Sequence, residues 1–181
     1  MPSGCSDSMR SLLPLLLGAA LLLVPGRAQA DRRWRLGVFP VANFQAYTSH
    51  YGPRSLDGAA PRLHNGLDIA APLGSPVRSW WRGQVVEIID DSACGIGVVI
   101  SSGAYDHIYC HLHGTVSGGV YRSGPVQLSS GRMVRFGERI GHVGLTGHTT
   151  GPHLHWGMRY RGEWLDPGRI LRAMAASQAS P

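Results

Sequence analysis

Two histidines, His153 and His155, flank a single leucine in "GPHLHWG" (residues 151 to 157). In an extended chain alternate residues face the same way, about 7 Å apart at the backbone, so both imidazoles could reach one ion. Upstream, "RLHNGLDIAAPLGSPV" sets His64 four residues before Asp68. On a helix that interval would bring the side chains to one face, but Asn65-Gly66 and Pro72 argue against a helix. In a straight strand they would sit about 13 Å apart, so a shared ion requires a bend, which Gly66 permits. Catalytic zinc commonly takes three protein ligands and keeps a position for water. His64, Asp68, His153 and His155 together would fill a tetrahedral centre. Either the centre is structural, or one of them is not a ligand. His111, in "YDHIYCHLH", makes the second option attractive, since it allows three ligands and two free imidazoles.

These residues need strands to hold them. Glycine and proline punctuate short runs of valine, isoleucine and aromatics, a pattern of strands and turns. The clearest strands are "GQVVEIID" (83 to 90), "GVVISS" (97 to 102), "YDHIYCHLH" (105 to 113), "RMVRF" (132 to 136) and "HLHWGMRY" (153 to 160). The second and third read as a hairpin turning near Ser102-Gly103. On its returning strand Ile108, Cys110 and Leu112 share one face, which suits a core. His107, Tyr109, His111 and His113 share the other, which carries too many imidazoles to be one. Helical periodicity is convincing only in "DPGRILRAMAA", where Pro167 can open a short helix. The expected fold is mainly β, an antiparallel sandwich- or barrel-like domain with a short C-terminal helix.

The chain has 181 residues, enough for one ordinary domain. Arg10, the apolar run Leu12 to Val24 and the A-x-A site Ala28-Gln29-Ala30 read as a cleavable export signal over residues 1 to 30. The apolar run is shorter than the roughly 20 residues that span a bilayer, so no stable membrane insertion is expected after cleavage. All 17 basic residues are arginine, and loss of Arg10, Arg27 and Asp7 with the leader takes the net charge from +6 to +5. That charge suits an anionic partner such as a bacterial wall, or mere solubility. No basic run interleaved with aromatics points to nucleic acid. Cys5 leaves with the signal; Cys94 and Cys110 remain, open either to a disulfide bracing the hairpin or to life as separate buried thiols.

Three blocks, "HNGLDIAAPLGSPV", "IYCHLH" and "GLTGHTTGPHLHW", resemble the signature blocks of the lysostaphin-like zinc metallopeptidases, the M23 or LytM-type domain, in order and approximate spacing. The resemblance covers roughly residues 47 to 171. It implies a compact antiparallel β domain of the LytM (duplicated hybrid motif-like) type over 47–172, after a lead-in at 31–46 and before a flexible tail at 173–181. By position it implies zinc held by His64, Asp68 and His155, with His111 and His153 as catalytic histidines. It also implies a peptidoglycan peptide as substrate, cut at a cross-link or in the stem; the export signal places the expected protein in the periplasm or outside the cell, and a monomer is expected. There is no H-E-x-x-H and hence no glutamate base on a zinc-binding helix. The outer-shell acceptor that a metal-bound histidine usually needs is not legible in the sequence.

Some residues depart from the family's pattern. His113 stands where a small polar residue is usual, and Gly157 where an acidic residue often follows the aromatic. The segment 114–138 looks about ten residues longer than usual, which suggests an extra loop or hairpin beside the groove. His107, His142 and His148 read as structural or surface residues, and His50 is left unassigned. Two other readings compete with the wall endopeptidase: a non-catalytic LytM-type regulator of another wall hydrolase, and a secreted peptidase acting on proteins or rival cells. Retention of all five site positions favours the enzyme.

Overall fold

The computed structural model describes Met1, residues 35 to 55 and residues 60 to 178. The expected export signal and the end of the expected tail lie outside the described residues. In chain order the strands are β1 (Ala46–Ser49), β2 (Gly52–Arg54), β3 (Arg62–His64), β4 (Gly66–Ala70), β5 (Pro76–Arg78), β6 (Gly83–Asp91), β7 (Gly95–Ser102) and β8 (Tyr105–Cys110). There follow β9 (Thr115–Ser117), β10 (Val120–Ser123), β11 (Val126–Ser129), β12 (Met133–Val134), β13 (Arg139–His142), β14 (His153–Tyr160), β15 (Glu163–Trp164) and the helix α1 (Pro167–Gln178). The fold is mainly β and antiparallel, as the patterning suggested. No helix among the described residues is long and apolar enough to cross a membrane.

The largest sheet runs β1-β4-β14-β8-β7-β6-β12, with β15 beside β14. Register in its centre decides where the functional side chains go. His155 of β14 stands opposite Asp68 of β4 and Cys110 of β8, while Trp156 stands opposite Leu67 and Tyr109. Directly opposed residues of antiparallel strands share a face. One face therefore gathers Leu67, Ile69, Tyr109, Leu154 and Trp156 into the main core with Trp80. Burying such a side chain contributes roughly 1.5–3 kcal/mol. The other face carries Asp68, His153, His155 and Cys110.

This register corrects the expected division of the returning hairpin strand. The strand ends at Cys110, and His107 and Tyr109 are fully buried in or against the main core. The imidazole face is thus the core face. Ile108 and Cys110 instead join Val99 in a smaller cluster on the opposite side. A histidine is tolerated inside because its ring is fully engaged. His107 Nδ1 accepts from the Tyr109 hydroxyl at 2.7 Å, and Nε2 donates to Ser102 Oγ at 2.7 Å. Ser102 in turn donates to the Arg82 carbonyl, and Tyr109 accepts from the Trp80 N–H. Burial lowers the His107 pKa to about 3, so the ring is neutral.

Cys94, just before β7, is disulfide-bonded to Cys110 at the end of β8. The segment 114–138 does not form a loose loop. It makes the antiparallel sheet β9-β10-β11 and then β12, which joins the main sheet at β6. Tyr121, Val126 and Leu128 from this segment enter the main core, so it is part of the structural body. Of "RMVRF" only Met133–Val134 pairs as strand. At the helix, Asp166 Oδ1 accepts the Gly168 N–H at 2.8 Å, capping the first turn that Pro167 opens.

Candidate active site

The interval from His64 to Asp68 works because the chain changes sheets within it. His64 ends β3, which pairs with β2, whereas Asp68 lies in β4 of the main sheet. The turn at Asn65 brings His64 Nε2 to 3.0 Å from Asp68 Oδ1. His155 Nδ1 completes a triangle, 2.8 Å from Asp68 Oδ1 and 3.0 Å from His64 Nε2. Ligand atoms about 2.0–2.1 Å from one tetrahedral zinc would lie near 3.3 Å from each other, close to this spacing. Among the described residues these three form the group able to hold a metal ion.

Two of the three have an outer hydrogen-bond partner that orients them. His64 Nδ1 donates to the His50 carbonyl at 2.8 Å, which leaves Nε2 as the bare nitrogen toward the cluster. This acceptor is main chain, so no residue type marks it in the sequence. Asp68 turns its second oxygen to Arg54, whose Nη1 donates at 3.1 Å. Burial alone would raise the Asp68 pKa, but hydrogen bonds and charge from His155 and His64 outweigh it and hold the carboxyl well below its usual range. The His155 ring fills the space over Gly66, where a Cβ would meet its Cε1 at 2.5 Å.

His153 sits one pleat away on the same face. Its Nδ1 donates to the Gly151 carbonyl at 2.8 Å, and its Nε2 lies 3.7 Å from Asp68 Oδ1, outside the tight triangle. His111 arrives differently. Continued alternation from Tyr109 would aim it into the core. Instead its φ of 61° breaks the strand, and its ring comes to 4.7 Å from that of His153 and 6.0 Å from that of His155. A left-handed backbone costs a non-glycine residue roughly 1–2 kcal/mol. Surrounding bonds hold it there: its N–H donates to the Cys94 carbonyl, its carbonyl accepts from Gly144, and Nδ1 donates to the Thr146 carbonyl at 2.8 Å. Burial lowers the His111 pKa to about 4 against the Thr146 hydrogen bond; His153 and His155 lower it too, and Asp68 opposes them.

Five sequence-selected residues thus converge: His64, Asp68, His111, His153 and His155. His113 is exposed, and His142 bonds Ser123 Oγ through Nδ1. Arg54 and Thr146 are the side chain and the carbonyl that motif spacing passed over. A groove of about 330 Å³ runs beside the centre, lined by Thr48, Ser49, Arg54, Asp68, Thr150 and His153, among others. A larger depression, about 810 Å³, follows Arg82 and Arg132 to Glu138 and contains none of the five residues. The smaller groove is the one with chemistry beside it.

Residues 62–167 match peptidase family M23. The chain is 34% identical over 154 residues to the peptidoglycan DD-endopeptidase ShyA of Vibrio cholerae, covering 83% of this chain and 31% of that protein. It therefore spans about a third of that relative's length. Among solved structures, a zinc-containing peptidase from Vibrio cholerae superposes with a TM-score of 0.60 at 28% identity, covering 76% of this chain and 38% of the other. The catalytic domain of lysostaphin from Staphylococcus simulans gives a TM-score of 0.57 at 28% identity, over 72% of this chain and 93% of that domain.

Proposed function

The chain belongs to peptidase family M23, and on that premise we propose that it is an exported zinc endopeptidase that hydrolyses peptide bonds of bacterial peptidoglycan, in cross-links or stem peptides. The observation that carries the reading is the triangle of His64 Nε2, Asp68 Oδ1 and His155 Nδ1 with His111 and His153 beside it. Two neutral nitrogens and one carboxylate oxygen form a donor set typical of catalytic zinc. When bound, zinc supplies a Lewis acid that polarises a carbonyl and makes water more acidic.

The chain's own residues do the rest. His64, Asp68 and His155 hold the metal. His111 and His153 each spend Nδ1–H on a backbone carbonyl, at Thr146 and Gly151, so each keeps a bare Nε2 beside the triangle. A neutral Nε2 can take a proton from the attacking water and return it to the leaving amine. Once protonated, it donates to the developing oxyanion. The pair shares these tasks. A monomer acting in the periplasm or outside the cell, after signal cleavage, fits a wall substrate.

The test is direct. Purified protein should bind one equivalent of zinc and release new amino termini from isolated peptidoglycan, and chelation should stop the release. Zinc-loaded protein that releases none would overturn the peptidase reading in favour of a regulatory wall domain.

A further inference from the structure

We propose that Arg54 is a specificity residue of this centre: its guanidinium receives a free carboxylate that the peptide carries next to the scissile bond. The inference rests on the peptidase reading above and names the substrate class that the site prefers.

Arg54 ends β2, and its Nη1 donates to Ser49 Oγ at 2.7 Å and to Asp68 Oδ2 at 3.1 Å. Both of its side-chain hydrogen bonds to described residues therefore come from one nitrogen. A guanidinium offers donors on three nitrogens in a planar fork. Nε and Nη2 remain for a ligand, and the side chain is 35% exposed where it lines the groove. This fork matches a carboxylate better than it matches a neutral amide.

Charge points the same way. A divalent ion, ionised Asp68 and Arg54 sum to a double positive charge at the edge of the groove. Among the described residues Asp68 is the carboxylate that Arg54 pairs with, and its oxygens are already shared between Arg54 and the ligand triangle. An anionic group on the substrate would offset that excess. Distance limits where it can be. Asp68 belongs to the triangle through Oδ1 and meets Arg54 through Oδ2, so the receiving fork lies on the order of one to two residue lengths, at about 3.8 Å from one Cα to the next, from the reacting carbonyl. A carboxylate on the residue adjoining the cut bond reaches it. A cross-link built only of glycines offers none there.

The test compares cross-linked stem peptides that carry a free carboxylate beside the cross-link with the same peptides amidated at that carboxyl. Wild-type protein loaded with zinc should cleave the acid with a kcat/KM about 10- to 100-fold above the amide, the range of a charge-assisted hydrogen bond. At matched zinc loading, Arg54→Gln should lose about 10-fold or more on the acid beyond whatever it loses on the amide through its contact with Asp68, so that the preference disappears, and Arg54→Lys should recover part of it. Binding is read apart from turnover by nuclear magnetic resonance on metal-free protein, where the acid and not the amide should shift the Arg54 Nε–H signal. Equal cleavage of acid and amide by the wild type overturns the proposal while leaving the peptidase standing. Equal losses on both substrates in Arg54→Gln also overturn it, reducing Arg54 to a support for Asp68. Cleavage of neither by zinc-loaded wild type overturns the peptidase reading and this inference with it.

Discussion

Gly66 and His155 occupy one space: a Cβ on Gly66 would lie 2.5 Å from Cε1 and 2.6 Å from Nε2 of the imidazole. The glycine of the H-x-x-x-D block is thus a mould for the third side of the ligand triangle. Gly66→Ala should push the ring off Asp68 and weaken zinc binding by about 10- to 100-fold, the cost typical of disturbing a ligand's support. A chelator competition titration measures it; an unchanged zinc affinity would remove Gly66 from the account.

The ligands and the free imidazoles should separate under mutation. His64→Ala and Asp68→Ala should lose metal and activity together. His111→Ala should keep one zinc while activity falls by roughly 10²- to 10⁴-fold, the range of a positioned acid or base. Metal analysis beside a peptidoglycan assay reads both. Loss of stoichiometric zinc in His111→Ala would falsify its place among the non-ligands.

Stability should depend on pH through a residue far from catalysis. His107 is fully buried with its pKa lowered from 6.5 to about 3. Between those values the unfolded chain binds a proton that the folded chain refuses, so stability present above pH 6.5 drains away as pH falls toward 3. The slope for one such group is at most about 1.4 kcal/mol per pH unit. Urea unfolding across this window should show it. His107→Gln, which keeps a donor toward Ser102, should flatten the slope even if it lowers stability at neutral pH. An equal slope in both proteins would assign the acid sensitivity elsewhere.

The disulfide should support catalysis as well as the fold. Cys110 adjoins His111 in the chain, and the Cys94 carbonyl accepts the His111 N–H at 2.9 Å. Closing a loop of 16 residues should stabilise the protein by about 3 kcal/mol. Reduction, or the double change Cys94→Ala and Cys110→Ala, should lower the melting temperature by roughly 10 °C. It should also cut activity with zinc retained, because the backbone that holds His111 in its left-handed turn is released. Full activity in the reduced, folded protein would confine the bridge to stability.

Alternation made one pair of residues legible. His153 and His155 lie in the strand where the pattern put them, and they share its face. The same rule misled at His111, because a positive φ at that residue reverses the side chain and period-two patterning cannot register a single left-handed step. It misled at His107 as well. A histidine reads as polar, and only the hydroxyls of Ser102 and Tyr109 at its ring explain why it lies in the core. The carbonyls of His50, Gly151 and Thr146 fix the tautomers of His64, His153 and His111, yet backbone acceptors carry no residue identity to read. The gathering of His64 and Asp68 needed a change of sheet at Asn65, which the glycine beside it allowed and did not dictate.

β14 lies between β4 and β8, although it is made long after both. Until residues 153–160 are synthesised and docked, β4 and β8 have no partner along their facing edges, and Asp68 stands without the histidine 87 positions downstream. The triangle of His64, Asp68 and His155 therefore cannot close before β14 docks, a long-range closure of the kind that proceeds slowly. A chain still emerging, or one held unfolded, has no hydrolytic power. Activity itself certifies that the sheet is complete.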